Sequence, residues 1–310
     1  MQFDIVVATY NRSDYLAPLL ESIRSMEPAP ARVIVVDNAS TDATAQVIAA
    51  AAAASPVPLV HHRMPENLGG SGAFSAGVAK ALADGADWIW VMDDDVEVLP
   101  GAIAAFAPWL AKYSALVGRR YDANGDPFFW QNRFHEALGI FLPVHGNLFE
   151  HSNVFETNVG CFEGMLFSAG AVRATGLPDP RFFLTWDDAV YGWLMSLHTP
   201  VAYVNEFVLR KTRPQRQIDL GIRHLNDSSD LSRFYVMRNR AYVANYLKAH
   251  GRFNAPLFAV GTALTALKEI LRLVAVEKRL RGTLSLWRGW RASRVLFRET
   301  GWEPMPPLTG

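Results

Sequence analysis

The sequence contains almost no cysteine and no excess of charge of either sign. Cys161 is the single cysteine among 310 residues, so the chain cannot form an internal disulfide or a zinc site built from several cysteines. A reduced, cytoplasmic setting is therefore expected. Lys and Arg together number 30, as do Asp and Glu, which removes any whole-molecule attraction for nucleic acid. No nucleic-acid partner is expected.

Long uncharged apolar runs are also missing. The longest covers residues 253–267, which is shorter than the roughly 20 residues that a membrane-spanning helix needs. The first residues show neither the basic start nor the small-residue cleavage site of a signal peptide, and they are predicted to form a β-strand. Half of the residues are hydrophobic, so the chain can bury a sizeable core.

Strand and helix patterns alternate through the first third of the chain. Short apolar runs cover residues 3–8, 33–36, 59–62 and 88–92, and stretches with helical spacing separate them. This alternation predicts an α/β fold with a mostly parallel sheet covered by helices. Because ligands bind beyond the carboxyl ends of such strands, Thr9, Asp37 and the aspartates after residue 92 should share one crevice.

The rest of the chain is predicted to contain loops and then helices. Residues 118–162 have poor periodicity and are expected to form irregular loops with short strands. Helical spacing returns at 187–197, runs through 231–250 and continues over 255–298. We predict a main domain over residues 1–250 and a helical, basic amphipathic region over residues 251–310.

Asp93, Asp94 and Asp95 follow the apolar run 88–92 directly. Three adjacent carboxylates would repel one another unless a cation or hydrogen-bond donors lay among them. Asp93 and Asp95 point to the same side of an extended backbone, so both could face Mg²⁺ or Mn²⁺ that also grips a diphosphate. The alternative is an acidic turn or the start of a helix.

Two further motifs carry candidate chemistry. Asn67 opens the glycine-rich turn Asn-Leu-Gly-Gly-Ser-Gly, where backbone N–H groups can approach an anion or a base. The alternative is a flexible loop with a helix cap, and the glycine spacing fits neither a dinucleotide-binding motif nor a P-loop. Asp187 and Asp188 follow Trp186 at a predicted helix start, where one could cap the helix and one could act as a general base.

Taken together, these motifs resemble the inverting glycosyltransferases of family 2, which have the GT-A fold. More closely, the sequence is similar to the galactofuranosyltransferases that build the actinobacterial cell-wall galactan, and its length fits the shorter, galactan-initiating type. The matching segments are Val-Ala-Thr-Tyr-Asn-Arg (7–12), Val-Val-Asp-Asn-Ala-Ser-Thr-Asp (35–42), Asn-Leu-Gly-Gly-Ser-Gly (67–72), Met-Asp-Asp-Asp (92–95), Trp-Asp-Asp-Ala-Val-Tyr-Gly (186–192), His224 and Arg-Asn-Arg (238–240).

The resemblance implies a role for each matching residue. Asp188 would be the catalytic base. The UDP-sugar donor would be bound by Thr9, Arg12, Asp37, Asn67, Gly69, Gly70, Asp93 and Asp94, with Asp37 holding its uracil. The divalent metal, Mn²⁺ or Mg²⁺, would be held by Asp93, Asp95 and His224, although a lone histidine can also be a core or surface residue. Acceptor contacts are expected from Trp130, Glu163, Trp186 and Asp187. Trp130 could instead pack in the core, and Glu163 could instead satisfy buried backbone groups.

The resemblance also implies the overall reaction and its location. The enzyme would move galactofuranose from UDP-galactofuranose to a polyprenyl-diphosphate-linked oligosaccharide. A rhamnosyltransferase using dTDP-rhamnose and a non-catalytic nucleotide- or lipid-binding scaffold of the same fold are the alternatives. A nucleotidyltransferase is disfavoured because its basic, glycine-rich phosphate loop is absent near the N-terminus.

The C-terminal region mixes apolar residues with many basic ones. Such a helix can lie peripherally on the inner face of the cell membrane, or it can present a solvated face or an oligomer contact. Its basic residues are Lys268, Arg272, Lys278, Arg279, Arg281, Arg288, Arg291, Arg294 and Arg298. The sequence sets no oligomeric state.

Overall fold

The computed structural model describes residues 1–128, 130–214 and 228–308, together with the backbone of 217–219 and 224–226. The strands are β1 (Phe3–Thr9), β2 (Arg32–Asp37), β3 (Leu59–Arg63), β4 (Trp88–Asp93), β5 (Val96–Val98), β6 (Ala115–Tyr121), β7 (Pro127–Phe128), β8 (Asn132–His135), β9 (Ile140–Pro143), β10 (Val154–Thr157), β11 (Met165–Ser168), β12 (Val201–Lys211), β13 (Gln217–Asp219) and β14 (His224–Asn226). The α-helices are α1 (Ser13–Arg24), α2 (Thr44–Ala54), α3 (Gly69–Ala83), α4 (Ala102–Phe106), α5 (Ala169–Thr175), α6 (Asp187–Ser196), α7 (Asp230–Arg238), α8 (Arg240–Ala249), α9 (Ala255–Leu271) and α10 (Thr283–Leu296).

A large central sheet has the strand order β10-β12-β6-β11-β4-β1-β2-β3. The four strands β4, β1, β2 and β3 are mutually parallel, and β11 joins them to the other half in antiparallel orientation. Successive residues of β1 face two different hydrophobic clusters, Ile5 and Val7 on one side and Val6 on the other. Both sheet faces are therefore buried under other elements, and the predicted α/β class is confirmed.

The carboxyl ends of the parallel strands meet at one edge, as predicted. Thr9 at the end of β1 is paired in register with Asp37 at the end of β2, and Ala8 is paired with Asp93 at the end of β4. The β-strand period places the polar residues that follow these strands at the same edge. This edge forms the floor of the site described below.

The predicted helical stretch 231–250 is divided into two helices. α7 ends at Arg238 and α8 begins at Arg240, and Asn239 lies between them with φ −73° and ψ −7°. The expectation of continuous helix is therefore wrong at this residue. The side chain of Asn239 bonds to a distant loop, a long-range contact that helical spacing does not reveal.

The helices after residue 250 pack against the preceding ones. Leu273 and Leu286 form a buried cluster with Met237 of α7, and a π-helical turn (Arg272–Val276) separates α9 from the next segment. A Cβ added to Gly289 of α10 would lie 2.2 Å from the carbonyl oxygen of Phe234 in α7. The backbones of α10 and α7 therefore approach each other closely at this glycine. None of the helices in the described residues is both long and apolar enough to cross a membrane.

Candidate active site

The three aspartates after β4 have different surroundings. The Asp94 carboxylate accepts hydrogen bonds from Thr9 Oγ1 at 2.8 Å and from Arg12 Nη1 at 3.0 Å. Arg12 Nη1 also lies 3.3 Å from Asp95 Oδ2, and the backbone N–H of Thr212 donates to the Asp95 carbonyl oxygen. Hydrogen bonds thus connect this turn to Arg12, directly before α1, and to Thr212, directly after β12. Thr9, Arg12, Asp94 and Asp95 are thus brought together at the end of β4, and their roles in binding the donor and the metal stay predictions.

Asp93 is half-buried, and its carboxylate makes no hydrogen bond or ion pair within the part of the chain that the structure describes. Its burial, together with the charges of Asp95 and Glu163, holds the pKa of its carboxyl well above the usual range. A carboxylate with this surplus of negative charge and no cationic partner suits a hard divalent cation. The carboxylate of Asp93 therefore fits the predicted metal, and Asp95, as a second ligand, would share its carboxylate with Arg12.

A complete ligand set is not visible in the described part of the chain. No group of three or more His, Cys, Asp or Glu side chains there is arranged to hold a metal ion. The predicted third ligand, His224, begins β14, but its side chain lies outside the described residues. Its role as a ligand stays a prediction.

The glycine-rich turn is organised by an asparagine that the sequence analysis did not single out. Asn38 Nδ2 donates to Asn67 Oδ1 at 2.8 Å and to the Gly69 carbonyl oxygen at 3.0 Å, and Asn38 Oδ1 accepts from the Leu68 N–H at 3.0 Å. Gly69 has φ +72°, and a Cβ there would lie 2.0 Å from the carbonyl oxygen of Phe183. A Cβ on Gly70 would meet nothing within 4 Å, so its surface faces open space. Asn38 directly follows Asp37 at the end of β2, and this position in the sequence is the signal from which its role at the site could have been predicted.

The predicted uracil ligand Asp37 is completely buried and already paired. It accepts from the Ser40 N–H at 2.7 Å and from Arg63 Nη1 at 2.7 Å, and His61 Nε2 lies 3.1 Å away. Burial opposes ionisation, but hydrogen bonds from Ser40 and His61 and the charge of Arg63 keep the pKa of Asp37 below its usual value. Arg63 lies at the end of β3 and is paired in register with Asp37. The contact between Asp37 and a base stays a prediction.

The paired aspartates begin α6, with Trp186 as the residue before the first helical turn. Burial and the neighbouring charge of Asp187 raise the pKa of Asp188 to about 7, although Asp188 Oδ1 accepts from the Ala189 N–H at 2.7 Å. Burial also raises the pKa of Asp187, and the nearby Ser71 hydroxyl opposes that rise. A carboxyl that titrates near neutral pH is suited to accept a proton from a hydroxyl group.

Glu163 lies within a cluster of charges between the two aspartate groups. Lys211 Nζ is 2.9 Å from Glu163 Oε1, and Arg120 Nη1 is 3.5 Å from Oε2. Burial works against its ionisation, but the charges of Arg120 and Lys211 lower the pKa of Glu163 below its usual value. Glu163 in turn raises the pKa of both Asp93 and Asp188. Arg120 and Lys211 were not predicted, since basic residues within a strand do not indicate which distant carboxylate they will meet.

The two tryptophans that were predicted to contact the acceptor both interact with other residues of the fold. Trp130 packs edge-on against Tyr203, with ring centroids 6.3 Å apart. Trp186 is buried, and its indole N–H donates to the Val236 carbonyl oxygen at 3.0 Å. Both packing contacts agree with the alternative of a structural role, and the contacts of these two rings with an acceptor stay predictions.

The arrangement of a parallel sheet, a glycine-rich turn and acidic residues at the strand ends is that of a GT-A glycosyltransferase. The solved structure of GalNAc-T7 with UDP, GalNAc and Mn²⁺ has the same fold, with a TM-score of 0.59 and 11% identity over 89% of this chain and 58% of that one. Residues 4–172, more than half of the chain, match the family described as Glycosyl transferase family 2. The chain belongs to this family and is a glycosyltransferase.

Two characterised relatives match most of the chain. The galactofuranosyltransferase GlfT1 of Mycobacterium tuberculosis is 30% identical over 263 residues, covering 77% of this chain and 80% of the relative. The galactofuranosyltransferase GlfT1 of Mycolicibacterium smegmatis is 28% identical over 257 residues, covering 77% and 81%. The resemblance noted in the sequence is thus confirmed by comparison over most of both chains.

Proposed function

We propose that this enzyme transfers galactofuranose from UDP-galactofuranose to a polyprenyl-diphosphate-linked oligosaccharide in cell-wall galactan synthesis, with inversion at the anomeric carbon. The observation that carries the inverting mechanism is Asp188, a carboxyl with a pKa of about 7 whose ionisation, like that of Asp93, is opposed by the nearby charge of Glu163. The donor sugar is supported by the similarity to the two GlfT1 relatives over most of their length.

The reaction is a single displacement. Asp188 accepts the proton of the acceptor hydroxyl while its oxygen forms a bond to the anomeric carbon, and the bond from that carbon to the diphosphate oxygen breaks. Arg12, held by Asp94 and Asp95, places a positive charge beside the aspartate turn. Mn²⁺ or Mg²⁺, held by Asp93, Asp95 and His224, would supply neutralisation of the charge on the departing diphosphate.

A membrane surface is the proposed place of this reaction, at its cytoplasmic face. One face of α9 and of the π-helical turn after it carries apolar side chains spaced by three and four residues, each between 43% and 54% exposed, namely Leu257, Val260, Leu264, Leu267, Leu271 and Val274. On α10, Trp287 and Trp290 are 50% and 43% exposed beside exposed arginines. Exposed apolar and aromatic groups next to basic ones suit an anionic lipid surface that also holds a lipid-linked acceptor.

The test is a transfer assay with a panel of donors and one acceptor. The purified enzyme is incubated with Mn²⁺, a synthetic polyprenyl-diphosphate disaccharide, and either UDP-galactofuranose, UDP-galactopyranose, UDP-N-acetylglucosamine or dTDP-rhamnose. Mass spectrometry should show a product one hexose heavier with UDP-galactofuranose alone. Transfer from dTDP-rhamnose instead would identify a rhamnosyltransferase. Nucleotide binding without transfer from any donor would favour a non-catalytic scaffold.

A further inference from the structure

The segment 182–186, which leads into α6, has an unusual backbone. Phe183, Thr185 and Trp186 all have positive φ values, between 64° and 69°. A left-handed conformation is unfavourable for a bulky, non-glycine residue, so such a segment persists only where its surroundings hold it. Asp187 and Asp188 follow immediately, and their positions depend on this segment.

The side chain of Asn239 holds this segment from one side. Its fully buried amide Nδ2 donates to the carbonyl oxygens of Phe182, Leu184 and Thr185 at 2.9, 2.8 and 3.0 Å. Because an amide nitrogen carries two hydrogens, at least one of them is shared between two carbonyls. Arg238 Nη1 lies 3.3 Å from Asn239 Oδ1 and donates to it, which fixes the amide with its nitrogen toward the segment.

The two arginines beside Asn239 contact the same segment. Arg238 Nη1 lies 3.4 Å from the Phe182 carbonyl oxygen, and the guanidinium of Arg240 lies 5.3 Å from the centroid of the Trp186 ring. The Arg-Asn-Arg motif therefore lies at the junction of α7 and α8. Arg238 and Asn239 bond to the backbone of residues 182–186, whereas Arg240 contacts only the Trp186 ring and donates its hydrogen bonds to other residues, among them Gly139 and Leu138.

The opposite side of the segment contacts the glycine-rich turn. The Phe183 carbonyl oxygen accepts from the Ser71 N–H at 3.3 Å, and the close approach at Gly69 is made to the same carbonyl group. Movement of the segment would thus change the distance between the donor pocket and the paired aspartates.

We propose that Asn239 is a positioning residue that fixes the segment 182–186 and thereby sets Asp188 in place for proton transfer. This inference rests on the proposed function, because it assigns to Asn239 the alignment of the proposed base. Asn239 itself need not touch the substrate. Its three hydrogen bonds act through the backbone that enters α6.

The experiment compares Asn239→Ala and the milder Arg238→Gln with the wild type and with Asn245→Ala. Asn245 is a buried asparagine on α8 for which the described residues show no hydrogen bond to 182–186, so it is a matched control. Hydrogen exchange by mass spectrometry reports on residues 182–190 without any requirement for activity. Transfer kinetics and UDP affinity are measured on the same preparations.

We expect faster exchange at 182–190 and a fall in kcat of about 10-fold to 10²-fold in Asn239→Ala, since a misplacement of about 1 Å can cost this much. Arg238→Gln should show a smaller change of the same kind, and Asn245→Ala should show neither. The pH dependence of kcat should also move in Asn239→Ala, a readout that a general loss of stability would not alter.

Three results would overturn the inference. Unchanged exchange at 182–190 would show that Asn239 does not hold the segment, and faster exchange with unaltered kcat and pH profile would show that the segment does not set the base. An equal loss in Asn245→Ala would assign the effect to general destabilisation. A wild-type enzyme without galactofuranosyl transfer would refute the proposed function instead, while the exchange comparison would still decide the structural part.

Discussion

At the scale of single residues, Asp187 and Asp188 are close in sequence but differ in the proposed reaction. Asp188→Asn keeps the shape of the side chain but removes the proton acceptor, so transfer should fall by about 10² or more. Asp187→Asn should have a milder effect, because Asp187 contributes mainly charge beside Asp188. The measurement is kcat together with UDP affinity for both variants. Near-normal turnover in Asp188→Asn would remove its assignment as the base, and a larger loss in Asp187→Asn would move that role one residue earlier.

The pH dependence of transfer should follow the titration of Asp188. Burial and the charge of Asp187 raise its pKa to about 7, and only the ionised carboxylate can accept a proton. The rate should therefore increase with pH, reach half of its plateau near pH 7 and stay level above pH 8 until another group titrates. A pH profile measured in Asp187→Asn should be displaced to lower pH, since a repulsive charge has been removed. A profile flat from pH 5.5 to 8 would contradict this expectation.

The same raised pKa has a consequence for stability. In the unfolded chain Asp188 ionises near its ordinary value of 3.8, whereas in the folded protein it ionises only near 7. The folded state binds more protons between these values, so its stability relative to the unfolded state falls as pH rises from about 4 to 7. Asp188→Asn has no titrating carboxyl at this position, so it does not lose stability in this way between pH 4 and 7. Its Tm at pH 8 should therefore equal or exceed that of the wild type. A lower Tm in calorimetry would show instead that the carboxylate stabilises the fold.

At the scale of elements, the strands that carry the site could be predicted and the contacts between distant elements could not. β1, β2 and β4 are apolar runs that end in a polar residue, and parallel strands place those ends at one edge. The partners of Asp37 on β3 depend on strand register, which the short pattern there did not specify. The break at Asn239 lies within good helical spacing, because its cause is a bond to residues more than fifty positions earlier.

The three aspartates in the turn between β4 and β5 should differ in their effect on the binding of UDP with Mn²⁺. Mn²⁺ should strengthen UDP binding to the wild type, and Asp93→Asn and Asp95→Asn should each remove that increase. Asp94→Asn should retain it, because the Asp94 carboxylate is occupied by Thr9 and Arg12. In Asp94→Asn the Arg12 guanidinium keeps only Asp95 as a carboxylate partner.

Calorimetric titration with UDP, with and without Mn²⁺, provides the measurement for this prediction. Transfer assays in excess EDTA should show no turnover. Full activity in EDTA, or an undiminished Mn²⁺ effect in both Asp93→Asn and Asp95→Asn, would contradict the assignment of a metal to this turn.

At the scale of the whole molecule, the C-terminal helices are joined to the helices before residue 250 by buried charges. Arg233 of α7 is completely buried and pairs with Asp230 at 2.9 Å and with Glu277. Glu269 of α9 is also completely buried, 3.8 Å from Arg233 Nε. Removal of the chain after residue 250 would leave Arg233 without two of these carboxylates, at a cost of several kcal/mol. Truncation is therefore a poor way to test what the C-terminal helices do.

Substitution on the exposed face of α10 tests membrane binding without disturbing this packing. Arg288, Arg291 and Arg294 are exposed and form no ion pair with the residues that the structure describes. Each basic residue near an anionic surface contributes about 1 kcal/mol, so replacing all three by Gln should weaken vesicle binding about a hundredfold. The exposed Trp287 supplies apolar contact, and Trp287→Ala should weaken binding to neutral vesicles as well.

Flotation with vesicles of anionic or neutral lipid provides the measurement, at low and at high salt. The control replaces three exposed arginines elsewhere, Arg24, Arg133 and Arg252, so that the total charge change is the same. If binding depends on the C-terminal face, the control should float like the wild type, and salt should release the wild type but change the triple Gln variant little. Equal loss in both triple variants would assign binding to net charge alone. Undiminished flotation of the Arg288, Arg291 and Arg294 variant would place the membrane contact on another surface.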